Sequence, residues 1–344
     1  MNFNLLKEIV ATPAAPGFEH QLRSLVRDHL KDYADSIETD SIGNLIARIG
    51  KGGTKVMASA HLDEISLIAT YVDDNGFIRF HTLGGFDPRT LYTQRVSVQA
   101  STSLPGVIGC KPAHLLKDEE KKQAPKIEEL FIDVGLPADV VKERVKPGTL
   151  IVRERELIEM GDNVTGKSLD NRASVYILIE AIKKAKNLDI EFYGVFTVQE
   201  EVGLRGARVA ASGINPDVGI NLDITLANDF PGVEPQQRIT ELGKGTAIKV
   251  MDGSVICTGS LVEFMESTAN NNGIPFQREV LTAGGTDTSA MQYLTGVGAR
   301  VGCISTPTRY VHSTVETASQ KDIDSSVELL SALLKELHKY NLNG

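Results

Sequence analysis

The sequence predicts an α/β protein with a mixed, mostly parallel sheet and a smaller inserted β-rich domain. Before residue 65 and after Gly161, short apolar runs rich in β-branched residues alternate with helical stretches, a pattern that favours a parallel sheet covered on both faces. Between these parts, short alternating segments are joined by turns such as Asp74-Asn75-Gly76, as in antiparallel hairpins. We therefore expect a main domain of residues 1–65 and 162–344, with residues 66–161 as the insertion.

The N-terminal part is predicted to hold one helix and three strands. The helix, from Glu19 to Ala34, follows a start signal at Pro16-Gly17. Its apolar face consists of Leu22, Leu25, Val26 and Leu30. The strands are predicted at Ser36 to Thr39, Asn44 to Ile49 and Lys55 to Ala60. The last strand leads directly into His61 and Asp63.

The insertion shows strand-like alternation and little helical pattern. Its predicted strands are Ile68 to Val72, Phe77 to Leu83, Arg95 to Ala100 and Gly106 to Gly109. A short helical stretch follows at Pro137 to Val145, and the mixed charges of Lys117 to Lys122 indicate a solvated loop. This part therefore reads as a small β-rich domain.

The α/β alternation returns after Gly161. Asp170 opens a helix, and the last predicted helix carries the apolar residues Ile323, Val327, Leu330, Leu334 and Leu337. A further helix is predicted near residues 260–271. The strands between these helices are predicted at Glu191 to Val198, Val218 to Leu222, Glu279 to Leu281 and Ala299 to Ser305. No internal repeat interrupts this order.

The composition narrows the function classes. The chain has 344 residues with a formal net charge of -9, and no basic run offsets that charge, which argues against a nucleic-acid or anionic-membrane partner. No apolar window approaches the roughly 18 residues of a membrane span, and the first residues lack the pattern of a signal peptide, so we expect a cytoplasmic protein. The isolated cysteines Cys110, Cys257 and Cys303 fit small core residues better than disulfides or zinc ligands.

Six polar side chains follow predicted strands or begin predicted helices in a way that points to one site. They are His61, Asp170, Glu200, Glu201, Asp223 and His312. Ligands of open α/β sheets bind at the carboxyl edge of the strands, where these side chains are expected to meet. Singly, each has another explanation, such as a helix cap, a turn residue or a solvated strand end. Jointly, imidazole and carboxylate groups fit one or two divalent ions, with Zn, Co or Mn as candidates.

Two further roles follow from the local spacing. Because Asp63 lies two residues after His61, its carboxylate is expected to accept a hydrogen bond from the histidine nitrogen that binds no metal. If Asp170 bridges two ions, one also held by His61 and Asp223 and the other by Glu201 and His312, then Glu200 is left unligated. A free carboxylate beside a metal-activated water is a candidate general base.

The residues around these positions resemble the M42 family of metallo-aminopeptidases, also known as cellulase M-like or FrvX-like proteins. The resemblance covers nearly the whole chain and extends to the inserted segment Gly85-Phe-Asp-Pro-Arg89. Five segments carry it in the family's order and spacing: Ala60-His-Leu-Asp-Glu-Ile65, Ser168-Leu-Asp-Asn-Arg172, Val198-Gln-Glu-Glu-Val-Gly203, Asn221-Leu-Asp223 and Pro307-Thr-Arg-Tyr-Val-His312.

The resemblance implies a phosphorylase/hydrolase-like zinc-peptidase domain, a PDZ-like β-barrel insertion used in assembly, and a dodecamer built from dimers. It also implies two divalent ions per subunit, with Zn or Co favoured over Mn, and short peptides as substrates. The residues that it assigns as metal ligands are His61, Asp170, Glu201, Asp223 and His312. It makes Glu200 the general base and Asp63 an acid that supports His61.

Two other functions fit the sequence less well. An endo-glucanase, suggested by the older family name, needs two carboxylates across a sugar and no metal pair, so the two histidines would have no role. A non-catalytic oligomeric scaffold would be favoured by loss of a ligand or of Glu200, and none is lost. The segment near Thr286-Asp287 and the loop with Arg309 are expected to line the substrate pocket, where an arginine could favour acidic residues.

Overall fold

The computed structural model describes residues 1–342 as one large sheet with helices and one closed barrel. Eight helices are present in this part of the chain: α1 Phe3–Ala11, α2 His20–Leu30, α3 Ala138–Arg144, α4 Leu169–Lys184, α5 Arg205–Ile214, α6 Gly259–Asn271, α7 Asp287–Tyr293 and α8 Gln320–Glu336. Within these residues, no helix combines the length and the apolar character needed to cross a membrane.

The main sheet has eleven strands within the described residues. Five come from the first half of the chain: β1 Ser36–Thr39, β2 Leu45–Ile49, β3 Lys55–His61, β10 Ile158–Met160 and β11 Asn163–Gly166. The others are β12 Glu191–Thr197, β13 Val218–Leu226, β14 Thr246–Met251, β15 Phe276–Val280, β16 Arg300–Arg309 and β17 Glu316–Ser319. The strands β12, β3, β13 and β16 lie side by side and parallel at the centre, and antiparallel pairs extend the sheet on either side.

Helices cover both faces of this central sheet, as the registers show. Gly194 in β12 pairs with Ala58 in β3, and a Cβ atom on Gly194 would lie only 2.6 Å from Ile182 of α4. The next residue, Ser59, contacts the sulfur of Met291 in α7. Because successive side chains of a strand point to opposite faces, α4 and α7 lie on opposite sides of the sheet. The predicted α/β class is confirmed.

The inserted strands close into a six-stranded antiparallel barrel with its own apolar core. They are β4 Ser66–Val72, β5 Ile78–Leu83, β6 Arg95–Val98, β7 Leu104–Gly109, β8 Phe131–Asp133 and β9 Leu150–Arg153. Residues such as Val96, Ile108 and Ile132 are buried there, in a cluster separate from the core of the main sheet. The predicted β-rich insertion therefore forms a barrel.

Several elements differ from the sequence prediction. The helix expected to reach Ala34 ends at Leu30, and β13 and β16 run four residues beyond their predicted ends. Asp223 consequently lies inside β13 and not after it. The register explains this, because β13 pairs with β16 over nine consecutive residues from Val218 to Leu226, and such pairing outweighs the low strand propensity of one aspartate.

Candidate active site

The six predicted site residues line one cavity at the carboxyl edge of the central strands. The cavity has a volume of about 480 Å³ and is open to solvent. His61 ends β3, Asp223 lies in β13, and Asp170 lies in the first turn of α4. Glu200 and Glu201 follow β12, and His312 lies in the turn between β16 and β17. Elements far apart in sequence therefore deliver two imidazoles and four carboxylates to one place.

Asp170 lies between the two histidines. Its Oδ1 atom is 3.3 Å from Nε2 of His61, and its Oδ2 atom is 3.3 Å from Nε2 of His312. Each carboxylate oxygen therefore faces a different imidazole. A carboxylate with its two oxygens aimed in this way has the geometry of a ligand shared by two ions.

The other three carboxylates surround this arrangement. Nε2 of His61 lies 3.9 Å from both Oδ1 of Asp223 and Oε2 of Glu200, and Nε2 of His312 lies 3.8 Å from Oε2 of Glu201. Two overlapping triads have possible ligand atoms within 4.8 Å of one another: His61, Glu200 and Asp223, and His61, Asp170 and Glu201. Distance alone thus does not separate Glu200 from Asp223 as a ligand.

The charges of the cluster are poorly balanced by the protein itself. Burial raises the pKa of Glu201 to about 8 and that of Asp223 to about 7, and it raises the pKa of Glu200 well above its usual range. Asp170 adds to the rise for Glu201 and Asp223 because it carries a like charge. Oε1 of Glu201 is also buried without a hydrogen-bond partner among the described residues. Divalent cations would neutralise these carboxylates, so the donor set fits such ions.

Asp63 supports the site in a different way from the prediction. The ring nitrogen Nδ1 of His61 lies 3.0 Å from the backbone carbonyl oxygen of Asp63 and 3.6 Å from its carboxylate. The carboxylate instead accepts hydrogen bonds from the backbone N–H groups of Glu200 and Glu201, each at 3.0 Å. Asp63 therefore orients both the histidine and the loop that carries the two glutamates. The predicted acceptor, the carboxylate, thus lies farther from Nδ1 of His61 than the backbone carbonyl oxygen does.

A buried ionic network that the sequence reasoning missed lies beneath the site. Glu64 is 1% exposed, and its carboxylate contacts Lys167 at 2.5 Å, Arg172 at 3.1 Å and the hydroxyl of Ser168. Arg172 also donates hydrogen bonds to the carbonyl oxygen of Ile9, in α1. The network ties the end of β3 to α1 and to the start of α4.

Replacing Glu64 by glutamine is expected to lower the free energy of unfolding by about 3 to 5 kcal/mol at pH 7, since Lys167 and Arg172 then stay buried without a counter-charge. Burial would raise the pKa of Glu64, but Lys167 and Arg172 lower it from 4.5 to about 2. The wild-type carboxylate therefore stabilises the fold fully above about pH 4.5 and loses this effect as the pH falls towards 2.

Urea unfolding of the chelator-treated wild type and Glu64→Gln at pH 7, 5 and 3.5 measures the difference in their free energies of unfolding. This difference should be smallest at pH 3.5. Glu180→Gln is the matched control, because Glu180 forms a half-buried pair with Lys183 at 2.9 Å. Its effect should stay below about 1 kcal/mol. Equal effects of the two substitutions would contradict the proposed importance of the buried network.

Only one of the three residues predicted to line the substrate pocket does so. Thr286 lines the cavity, whereas Asp287 is buried behind it and accepts a hydrogen bond from Thr197 at 2.6 Å. Arg309 does not line the cavity, and its guanidinium is paired with Asp229 at 2.5 and 2.8 Å. Since this charge is already matched, the structure gives no support for recognition of acidic residues by Arg309.

One cation of the cavity wall was absent from the sequence prediction. Lys249, in β14, is completely buried and lies 3.0 Å from Asp252 and 3.2 Å from Glu279. Neither its strand nor its place at the site was predicted, because a single lysine in a short apolar run does not reveal what it contacts. Two carboxylates accompany this lysine, so the wall offers no unmatched positive charge.

Comparison with known proteins shows the family of this chain. Residues 43–329 match the family model described as M42 glutamyl aminopeptidase. The chain belongs to the M42 family. Its members are peptidases, so the resemblance drawn from the signature segments and the predicted enzyme class are both confirmed.

Relatives of this M42 chain match it over almost its full length. The lysyl aminopeptidase of Pyrococcus furiosus is 36% identical, covering 98% of each chain. The TET1 peptidase of Pyrococcus horikoshii, described as assembling into a tetrahedron or an octahedral shell, is 35% identical with a TM-score of 0.88, covering 97% of this chain and 99% of its own. A Thermotoga maritima structure described as an endoglucanase is 30% identical with a TM-score of 0.81, covering 97% of each chain.

Proposed function

We propose that this M42 aminopeptidase binds two divalent ions and removes the N-terminal residue of short peptides. The observation that carries the proposal is Asp170, whose two oxygens face two different histidines inside a ring of three more carboxylates. In this proposal His61, Asp170 and Asp223 hold one ion, and Asp170, Glu201 and His312 hold the other. Imidazole and carboxylate ligands suit Zn, Co and Mn. We propose Zn or Co, as the family resemblance implies, with Mn as the alternative.

We assign Glu200 as the general base and not as a ligand. Asp223 is fixed by hydrogen bonds from the backbone N–H of Ile224 at 2.9 Å and from the side-chain amide of Asn221 at 3.2 Å. The Glu200 carboxylate accepts no hydrogen bond from residues 1–342, while its backbone is held by Asp63. A side chain with an anchored backbone and free oxygens is suited to moving a proton.

The proposed reaction is hydrolysis of the first peptide bond. Bound ions would polarise the scissile carbonyl group and lower the pKa of an attacking water. A carboxylate oxygen of Glu200 takes the proton from that water and delivers it to the nitrogen of the leaving amine. Asp63 keeps Glu200 in reach by holding its N–H group.

Assembly and location complete the proposal. The TET1 relative is described as assembling into a tetrahedron or an octahedral shell, which supports a homo-oligomer for this chain. We propose a dodecamer built from dimers, with residues 66–161 as the assembly domain. A cytoplasmic location agrees with the three cysteines, which are all free. Short peptides are the proposed substrates.

A substrate panel tests the proposed reaction. The Co-loaded protein should release p-nitroaniline from aminoacyl p-nitroanilides and free N-terminal residues from short peptides. It should leave N-acetylated versions of the same peptides intact and should not cleave carboxymethylcellulose. The endo-glucanase alternative needs no metal pair, so sugar release that persists after chelation would favour it. Absence of cleavage of every substrate would favour a scaffold.

A further inference from the structure

We propose that Arg153, a residue of the barrel, positions His312 and thereby sets the affinity of the ion that His312 holds. This inference rests on the proposed two-ion function. It assigns the barrel a direct part in the site, in addition to its proposed part in assembly.

The surroundings of Arg153 give the first support for this role. Arg153 ends β9, is 1% exposed, and donates a hydrogen bond from Nη1 to the backbone carbonyl oxygen of His312 at 3.2 Å. Its guanidinium carbon lies 5.2 Å from the ring centroid of Phe86, a cation–π contact within the barrel. Nε and Nη2 make no hydrogen bond to the described residues. Burying a guanidinium with two free donors is costly, so packing alone does not account for an arginine here.

The backbone conformation of His312 gives the second support. Its φ angle is +64°, in the left-handed region that costs a residue with a Cβ atom about 1 to 2 kcal/mol. Its N–H donates to Oε1 of Glu316 at 2.8 Å, and its carbonyl accepts from Arg153. Both polar groups of this strained residue are therefore held by buried charged side chains, one from the main sheet and one from the barrel.

The carboxylate of Glu316 links His312 to the rest of the cluster. The other oxygen of Glu316 accepts the backbone N–H of Asp170 at 3.0 Å. One carboxylate thus holds the two residues whose side chains face each other at 3.3 Å. Gly85 of the insertion lies beside the imidazole, since a Cβ atom added there would lie 3.4 Å from Nδ1 of His312. Arg153 is the barrel's polar contact to the same residue.

A Co²⁺ titration of chelator-treated protein, followed by visible absorption and by competition with a chelating dye, tests the inference. The binding step that disappears in His312→Ala identifies the ion concerned. Arg153→Met should weaken that step by about 10- to 100-fold, as loss of an outer partner of a metal ligand does. The other step should keep its wild-type affinity, because its ligands and their hydrogen-bond partners remain intact.

Two further variants complete the design. Arg79→Met is the matched control, because Arg79 also lies over a phenylalanine, 5.9 Å from the Phe131 ring, and donates to the carbonyl groups of Glu128 and Leu130 within the barrel. It should bind both ions as the wild type does. Arg153→Lys keeps the charge without the planar fork, so it should weaken only the His312 step, by less than Arg153→Met does.

The outcomes separate this inference from the proposed function. Wild-type affinity at both steps in Arg153→Met, or equal weakening of both, overturns the inference. If Arg153→Met does not fold, Arg153→Lys decides, and its wild-type behaviour at both steps overturns the inference too. A wild-type protein that binds fewer than two ions overturns the proposed function and the inference with it.

Discussion

Glu200→Gln is expected to lower kcat by about 10²- to 10⁴-fold, because the amide accepts no proton from the attacking water and has none to return to the leaving amine. The substitution keeps the shape of the side chain and leaves the hydrogen bond from the Glu200 backbone to Asp63 in place. Two ions should therefore still bind. Steady-state kinetics on a peptide and metal analysis of the same sample measure both properties.

The control for this substitution is Glu328→Gln, on the exposed face of α8, which should keep wild-type kcat and metal content. Loss of one ion together with activity in Glu200→Gln would show that Glu200 is a ligand. That result would exchange its role with that of Asp223, which lies at the same distance from His61.

Asp170→Ala is expected to remove both ions at once and to abolish activity. Its two oxygens are the carboxylate oxygens nearest to Nε2 of His61 and Nε2 of His312, so each proposed ion loses a ligand. Asp223→Ala removes a ligand of only one proposed ion and should leave the His312 ion bound. Metal content after gel filtration distinguishes the two variants, and retention of one full equivalent by Asp170→Ala would exclude a shared ligand.

The site could be located from sequence because its residues lie where predicted strands end. His61, Glu200 and Glu201 follow apolar runs that are recognisable without any tertiary information. Parallel strands in an α/β alternation place their carboxyl ends at one edge, which brings these residues together. The geometry then agrees with the expected gathering of side chains.

The supporting residues could not be predicted because they act through long-range contacts. Glu64 meets Lys167 more than a hundred positions along the chain, and Arg153 crosses from the barrel to His312. A lone charged residue in a short strand looks the same in sequence whether it faces solvent or a buried partner. The role of the Asp63 carbonyl group likewise depends on the backbone conformation after β3, which only the folded chain shows.

The most direct test of the two-ion account is peptide hydrolysis by chelator-stripped protein as Co²⁺ or Zn²⁺ is added back in measured equivalents. We predict no release of the N-terminal residue from the stripped protein, and full activity only when two equivalents per chain are bound. Full activity in protein shown by metal analysis to hold no divalent ion, or saturation of activity at one equivalent, would contradict the account.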